Sequence, residues 1–337
     1  MNAAASQTDH IHPQVEPDIW ELLACPRDKS GLRLQGASLF CEQGHKYPVI
    51  EGVPILLVSE AEQTHIEGTR SVQVAETGDT SSLRRFNVAA DEIDPFVKAA
   101  IGATNGALYQ HLVGNLSTYP IPHLRLSPGD GRRFLEVGSN WGRWCVAAKR
   151  AGFNVVGIDP SLKAVRAANR VARQLGLSMT YLVADSRYLP FRDQVFEQVF
   201  SYSVLQHLSK ENAQTSLTEM RRTLKPGGKA LVQMPNVYGI RCLYHQIRRG
   251  FREGRDFEVR YWRPRELHRA FSDCIGESEV SVDGFFSLNA QVSDADLMPW
   301  RYRIVVYASE LLRRLSDKFP LLTNFADSLY INSVRGS

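Results

Sequence analysis

An acidic residue and two glycines stand close together in the stretch Phe134–Ala148, which reads FLEVGSNWGRWCVAA. Glu136 belongs to a short apolar run, Gly138 ends that run, and Gly142 precedes residues with a helical pattern. Glycine has no Cβ, so it permits a sharp turn and lets the backbone approach a ligand closely. A strand, such a turn and a helix N-terminus in succession predict a binding cradle at the carboxyl end of a sheet strand.

Two further carboxylates follow at the ends of short apolar runs. Asp159 ends the run Val155–Asp159, and Asp185 with Ser186 ends the run Thr180–Ala184. An acidic residue roughly 20 positions after a glycine turn is placed to accept hydrogen bonds from a ribose diol. The three strand ends together therefore predict a site for a nucleoside-bearing ligand.

The series continues with Phe196–Phe200, followed by VLQHL at 204–208, and with Lys229–Met234, preceded by LKPGG at 224–228. Over residues 134–236 this order resembles the class I S-adenosylmethionine-dependent methyltransferases. A nicotinamide-binding site would have the tighter spacing Gly-x-Gly-x-x-Gly. The resemblance implies S-adenosylmethionine as cofactor and an α/β, Rossmann-like fold with seven strands, the last of them antiparallel.

The resemblance also implies which residues contact the cofactor. Glu136 stands where an acid supports the methionine end, and Asn140 stands where a glycine is frequent in the family. An acid at a strand tip can instead serve only to cap the next helix. The residues assigned to the cofactor are Glu136, Gly138, Ser139, Asn140, Gly142, Asp159, Pro160, Leu162, Asp185, Ser186 and Ser201.

Methyl transfer from a sulfonium is an in-line displacement, so the protein mainly holds donor and acceptor in reacting geometry. A base is needed only where the acceptor atom carries a proton that it does not lose readily. His207 and Tyr202 follow the fourth strand and are the candidate catalytic residues. His207 is also interpretable as a structural histidine at the start of the next helix.

Near the N-terminus, Cys25, Asp28, Cys41 and His45 occupy spaced positions in a short, strand-rich segment. The segment resembles the zinc-ribbon-like domain that accompanies several methyltransferases, in which two Cys-x-x-Cys pairs bind the metal. Here Asp28 stands at the second cysteine position of the first pair. In the second pair that position is Gly44, and His45 follows it. Zinc accepts thiolate, imidazole and carboxylate ligands, so a structural zinc site remains chemically allowed. The alternative is a ribbon that is held by its apolar residues alone.

The sequence predicts that the chain is organised in four parts: a tail at 1–18, a ribbon-like β-rich domain at 19–59, a linker at 60–95 and a methyltransferase domain at 96–337. A helix over 96–116 is expected to lie over the cofactor. Strands are expected at 279–288 and 328–334, with insertions at 237–265 and 289–327.

Arginines are concentrated in the first insertion, where residues 241–269 carry nine arginines and four carboxylates, a net charge of +5. Such a segment favours an anionic acceptor, or it is a solvated surface. The helical pattern at 301–319 is predicted to form a lid over the cleft, with contact to a membrane surface as the alternative.

Composition limits the remaining choices. The 337 residues are 43% apolar, 23% charged and carry a net charge of +4, typical of a globular protein. The five cysteines are scattered, and the N-terminus lacks a secretory pattern, so a cytoplasmic enzyme is expected. The acceptor is predicted to be a small molecule or a glycan- or lipid-linked oxygen or nitrogen. RNA is the alternative acceptor, and a catalytically silent scaffold that presents the ribbon to a partner is the alternative of another class.

Overall fold

The structure, a computed structural model, describes residues 14–81, 83, 86, 88, 89 and 91–336. Most of the predicted tail therefore lies outside the described residues, and the first helix already begins at Pro17. The strands are β1 (Leu32–Gln35), β2 (Ser38–Cys41), β3 (Lys46–Ile50), β4 (Val53–Leu56), β5 (Arg133–Val137), β6 (Asn154–Asp159), β7 (Thr180–Ala184), β8 (Phe196–Tyr202), β9 (Leu224–Pro235), β10 (Gly276–Gly284) and β11 (Ser328–Arg335). The helices are α1 (Pro17–Trp20), α2 (Ile66–Thr77), α3 (Pro95–Asn105), α4 (Arg143–Arg150), α5 (Leu162–Gln174), α6 (Lys210–Thr223), α7 (Ile240–Arg248), α8 (Pro264–Cys274) and α9 (Trp300–Ser316).

All the strands form one sheet, in the order β1-β2-β3-β4-β7-β6-β5-β8-β9-β11-β10. Strands β5 to β9 are parallel and alternate with helices, as the predicted α/β class requires. Strand β11 runs antiparallel between β9 and β10, which confirms the predicted orientation of the last strand. The sheet has eleven strands rather than seven, because β4 pairs in parallel with β7 and extends the sheet into the N-terminal segment.

The N-terminal strands share their core with the larger sheet. Leu23 forms a bridge with Phe191, and both side chains are buried in one apolar cluster that also includes Leu217 of α6. The Lys29 ammonium donates to Glu219 at 2.9 Å and so ties the same segment to α6. A segment of this size buries too little apolar area to be stable alone, so this shared core explains how it folds.

The segment 60–95 was predicted to be a linker, but it contains helix α2. Its C-terminus is closed by Gly78, whose φ of 69° suits a left-handed cap. Leu162 N donates to Ser71 Oγ at 2.9 Å, and the same hydroxyl lies 2.7 Å from Pro160 O. Helix α2 is therefore packed onto the start of α5, beside the strand tip that carries Asp159.

Helix α3 begins where Asp94 accepts hydrogen bonds from Phe96 N and Val97 N, an N-cap that the sequence did not reveal. The helix ends at Asn105 because Gly106 leaves the helical region with φ 97° and ψ 175°. A 3-10 turn at Ala107–Leu112 follows, so the helix that was predicted over 96–116 is shorter than expected.

Helix α9 of the second insertion is largely exposed. Among the seventeen residues of α9, only Val306 and Ser316 are buried, and none lines the cleft that is described below. The prediction that this helix forms a lid over the cleft is therefore wrong, because one side of the helix packs against the core through Val306 and Leu312 and the other side is exposed. Within the part of the chain that the structure describes, no helix is long and apolar enough to span a membrane.

Candidate active site

A cleft of about 600 Å³ opens at the carboxyl ends of β5, β6, β7 and β8. Gly138, Asp159 and Asp185, the tips of three successive strands, all line it. Parallel strands place their carboxyl ends at one edge of the sheet, and ligands bind there in this type of fold. The structure thus brings together the three strand tips that the sequence selected.

The glycine turn leaves no room for side chains. Gly138 has φ 80°, and a Cβ there would lie 2.2 Å from Val204 Cγ2. Gly142 has φ 86°, and a Cβ there would lie 2.4 Å from the hydroxyl of Tyr181. Asn140 adopts φ 46°, the left-handed conformation that asparagine tolerates, so the turn forms without a third glycine.

Asp159 both holds this turn and faces the cleft. Its Oδ2 accepts from Asn140 N, and its Oδ1 accepts from Ser161 N, each at 2.9 Å. Burial raises the pKa of Asp159 to about 6. Each carboxylate oxygen retains a second lone pair, so the group both caps the turn and offers acceptors to a ligand.

Two buried polar groups next to the turn have no partner. Glu136 Oε2 and Ser139 Oγ make no hydrogen bond within the described residues, and both residues line a narrow cavity that adjoins the cleft at Gly138 and Asn140. Burial raises the pKa of Glu136 to about 8. Cys145 supplies hydrogen bonds to the Glu136 carboxyl, but its buried Oε2 is left unsatisfied, which is costly unless a ligand supplies a donor or a positive charge. S-adenosylmethionine carries such charge at its methionine end, so the residues present fit the cofactor.

The side chains of three predicted cofactor residues are engaged by the protein itself. Leu162 is 2% exposed and packs in the apolar core. Ser201 donates to Val137 O inside the sheet, at 3.0 Å. Asp185 lines the cleft, but its carboxylate accepts from the guanidinium and the backbone N–H of Arg187. The positions of Leu162 and Ser201 do not favour the predicted side-chain contacts with the cofactor, and Asp185 is already engaged in an ion pair.

Ser186 and Pro160 also line the cleft, as predicted. The Ser186 hydroxyl is 2.7 Å from the hydroxyl of Ser216, so its hydrogen bond is directed toward α6. At this edge the chain offers a ligand mainly backbone and apolar surface.

The Tyr202 hydroxyl is fully occupied. It donates to Asp283 Oδ2 at 2.7 Å and accepts from Gln291 Nε2 at 2.9 Å. Burial raises the pKa of Tyr202 well above its usual value. Tyr202 therefore joins the second insertion to the sheet, and the prediction that it is a catalytic residue does not agree with these contacts.

His207 lines the cleft and stacks on Phe257 with ring centroids 3.9 Å apart. Its Nδ1–H donates to the carbonyl of Phe257 at 2.7 Å. Burial lowers the pKa of His207 to about 4, so the imidazole is neutral at physiological pH and is a weak proton acceptor. These contacts favour the structural interpretation of His207 over general-base catalysis.

Several residues of the cleft were not selected from the sequence. Helix α3 contributes Phe96, Ala100, Ala103 and Thr104, which agrees with the prediction that a helix before the first strand covers the cofactor. His65 comes from the supposed linker, Phe257 from the arginine-rich insertion and Asn289 from the second insertion. Phe257 packs between His65 and His207, at 4.4 and 3.9 Å. Nothing in the local sequence links these distant positions.

A second cluster of chemically capable side chains lies in the N-terminal segment. One ligand atom from each of Cys25, Asp28, Cys41 and His45 lies within 4.8 Å of all the others. The distances are 3.5 Å from His45 Nδ1 to Cys25 Sγ, 3.3 Å to Cys41 Sγ and 2.9 Å to Asp28 Oδ2. The edges of a zinc tetrahedron with such ligands are about 3.3–3.8 Å, which the two nitrogen–sulfur distances match. The distance between His45 and Asp28 is that of a direct hydrogen bond, so these two ligands would move slightly apart to hold the metal.

Hydrogen bonds orient two of these ligands. Ser30 N donates to Asp28 Oδ1 at 2.9 Å, which leaves Asp28 Oδ2 to face the cluster. The Tyr47 hydroxyl contacts Cys25 Sγ at 3.1 Å and accepts from Arg27 at 2.7 Å. Such outer contacts are typical of groups that are held for metal binding.

Comparison with known proteins agrees with the site. The family profile of a methyltransferase domain matches residues 134–228. A ubiquinone biosynthesis O-methyltransferase of Brucella ovis is 29% identical over 150 residues, which cover 43% of this chain and 60% of that protein. The protein of the same name from Agrobacterium fabrum is 30% identical over 101 residues, or 30% and 40% of the two chains. The chain thus spans no more than about 60% of the length of these relatives.

Solved structures with the same type of fold include phosphoethanolamine N-methyltransferase 2 of Haemonchus contortus, in complex with phosphomonomethylethanolamine and S-adenosylhomocysteine. It is 18% identical with a TM-score of 0.45, over 74% of this chain and 61% of that one. An S-adenosylmethionine-dependent methyltransferase of Methanosarcina mazei has the same identity and TM-score, over 66% and 99% of the two chains. The profile match, the order of strands and the glycine turn lead to one assignment: the chain carries, at residues 134–228, a methyltransferase domain of the class I S-adenosylmethionine-dependent family.

Proposed function

We propose that this chain is an S-adenosylmethionine-dependent methyltransferase that acts on a small-molecule or glycan- or lipid-linked oxygen or nitrogen acceptor. The observation that carries the proposal is the convergence of Gly138, Asp159 and Glu136, whose Oε2 has no partner among the described residues, on one cleft and its side cavity. The names of the relatives support a small-molecule acceptor, since both are O-methyltransferases of ubiquinone biosynthesis.

In the proposed complex the cofactor supplies a methyl group on a positively charged sulfur. Asp159 accepts hydrogen bonds from its ribose hydroxyls, and Glu136 with Ser139 faces its methionine end. The glycine turn lets the backbone approach the cofactor without steric conflict. These contacts fix the position of the donor, which is the main contribution that the protein makes to such a displacement.

The acceptor enters from the side of the cleft that is formed by Thr104, Ser203, His207 and Asn289. Ser203 Oγ lies close to both Gln233 Oε1 and Asn289 Oδ1, so this wall is polar and ordered. Phe257 and Phe96 add apolar surface. A wall that combines a few polar groups with aromatic rings suits a small molecule with one polar reacting group.

Calorimetric titration tests the proposal. Wild-type protein binds S-adenosylmethionine, and Asp159→Ala weakens binding at least tenfold, because two hydrogen-bond acceptors are lost and the turn loosens. Asp273→Ala is the matched control, since Asp273 is 69% exposed on α8, outside the cleft. Absence of heat with the wild-type protein, or equal affinity of Asp159→Ala, contradicts the proposal. A labelled-methyl screen of small-molecule, lipid, glycan and RNA extracts then identifies the acceptor class.

We also propose that the N-terminal cluster holds a structural zinc ion. The proposal is supported by the convergence of four ligand atoms and by the hydrogen bond from Ser30 N that orients Asp28. With four protein ligands the metal has no open position, so it stabilises the segment and takes no part in chemistry.

A further inference from the structure

Exposed apolar side chains are concentrated in two stretches of the molecule, 238–257 and 300–325. The described residues expose seventeen large apolar side chains, and fifteen of them lie in these stretches. The two exceptions are Ile66 and Val292. Scattered exposed apolar residues need no explanation, but a concentration of this kind marks an interaction surface. We call the two stretches together the basic apolar face.

Helix α7 contributes a stripe to this face. Ile240, Leu243, Tyr244 and Ile247 recur at the spacing of one helical face and are 39–58% exposed. They lie opposite the buried Cys242 and Gln246. The apolar side of α7 is therefore exposed, and no part of the chain that the structure describes covers it.

Helix α9 repeats the arrangement. Trp300, Ile304, Tyr307 and Leu311 follow the spacing of one helical face and are 53–69% exposed. They lie opposite the buried Val306. Two helices from different insertions thus present unpartnered apolar stripes.

The turn that precedes β11 connects the two helices. It carries the exposed Phe319, Leu321 and Phe325 directly after α9. Asn236 Nδ2 donates to the carbonyl of Asn324 at 3.0 Å, and Cys242 N of α7 donates to Asp327 Oδ1 at 2.8 Å. The turn that follows α9 is therefore held against the start of α7, which brings the two stretches together.

The face is also basic. Each stretch contains five arginines or lysines and two carboxylates, a net charge of +3. The whole chain carries +4, so the remaining residues together carry −2. Arg241, Arg248 and Arg301 are exposed and form no ion pair within the described part of the chain.

We infer that the basic apolar face docks on the surface of an anionic lipid bilayer. Apolar and aromatic side chains flanked by arginines are the composition of helices that lie in a membrane interface. Anionic lipid headgroups would supply the negatively charged partners that these exposed arginines do not have within the described part of the chain. A second copy of the chain is the other candidate, but a two-fold interface would set +6 against +6.

Docking on this face would also place the cleft near the bilayer. Phe257 belongs to the basic apolar face and lines the cleft as well. The inference itself concerns binding to lipid and holds whether or not the chain transfers methyl groups.

Flotation of the full chain with vesicles tests the inference. We expect at least tenfold stronger partition onto phosphatidylcholine vesicles that contain phosphatidylglycerol than onto pure phosphatidylcholine. The double variants Ile247→Glu/Leu311→Glu and Arg248→Glu/Arg301→Glu should each lose at least tenfold in partition. The controls Ile66→Glu and Arg33→Glu, which make the same changes at exposed positions outside the face, should partition as the wild type does. All the sites are on the surface, and thermal unfolding confirms that each variant is folded.

Four results would overturn the inference. They are failure of the wild type to bind anionic vesicles, wild-type binding by both double variants, and binding to RNA in the absence of binding to vesicles. The fourth is a stable dimer in light scattering that Ile247→Glu/Leu311→Glu converts to a monomer, which would make the face a contact between two copies.

Discussion

The cleft and the N-terminal cluster are both built from side chains that can hold a ligand, but they satisfy those side chains differently. In the cleft, Glu136 Oε2 and Ser139 Oγ have no partner among the described residues. In the cluster, His45 Nδ1 already lies 2.9–3.5 Å from Asp28, Cys25 and Cys41. The cleft lies at the edge of a large sheet with its own buried core, so it can form before a ligand binds. The cluster lies in a small segment, where the proposed metal would help to hold the hairpins together.

The largest effect is expected when a side chain is added at the glycine turn of the cleft. Gly138→Ala should abolish detectable binding of S-adenosylmethionine, a loss of at least a hundredfold, because the new Cβ meets Val204 at 2.2 Å. Calorimetry measures the loss. Gly176→Ala is the matched control, since Gly176 has φ 65° but open space around it, so it reports backbone strain alone. Retained binding by Gly138→Ala would show that the turn does not form the cofactor site.

Removal of the proposed metal tests the other region. Cys41→Ser should reduce bound zinc from about one ion per chain to almost none and lower Tm by about 5 °C, since metal binding contributes to the folding of small domains. Elemental analysis and calorimetry measure both quantities. Cys274→Ser changes a half-buried cysteine outside the cluster and should alter neither. Wild-type protein that is free of zinc after purification from zinc-supplemented cells would contradict the proposal.

The unsatisfied carboxyl of Glu136 beside the cleft should make the stability of the protein depend on pH. Its pKa is raised from 4.5 to about 8 in the folded chain, so the stability that its protonated form contributes is fully present below pH 4.5 and is lost progressively as pH rises from 4.5 to 8. Glu136→Gln should leave Tm unchanged at pH 4, where Glu136 is protonated in both states, but raise it by about 5 °C at pH 9 in the absence of cofactor. Thermal scans at the two pH values measure this difference.

Cofactor affinity should move in the opposite direction. Binding of the positively charged cofactor favours ionised Glu136, so wild-type affinity should increase between pH 6 and pH 8 and binding should release a proton. In Glu136→Gln that increase should be reduced to the part that Asp159 supplies through its own pKa of about 6. The exposed Glu279→Gln is the control. Identical pH profiles of wild type and Glu136→Gln would remove Glu136 from the cofactor site.

The smallest effect is expected at His207. His207→Asn should change the methyl-transfer rate less than threefold and lower Tm by about 2 °C, because the ring mainly supports Phe257. A general base would instead lose about 10²–10⁴-fold and one limb of the pH–rate profile. Steady-state rates across pH 5–9 separate the two roles.

The sequence predicted the part of the site that the sheet positions. Gly138 and Asp159 end strands, and parallel strands bring their ends to one edge, so order and spacing were sufficient. The directions of the side chains at these strand ends were harder to predict from the sequence. Leu162 begins α5 and turns inward to the core, and Asp185 pairs with Arg187 only two residues away.

The walls of the cleft could not be predicted, since they come from positions far apart in the chain. His65 and Phe257 meet at 4.4 Å because α2 packs on α5 and the first insertion folds back over the turn after β8. The exposure of α9 was missed for a related reason. An apolar stripe indicates a helix, but it does not identify what covers the stripe.

The pairing of β4 with β7 has a consequence for the chain as a whole. Without β4, the backbone N–H and C=O groups of Leu182–Ala184 on that side would be left without strand partners, and such an edge is a template for aggregation. The N-terminal segment thus serves as a protective border of the sheet, and a chain shortened to begin after residue 59 would tend to self-associate even though its cleft residues were all present.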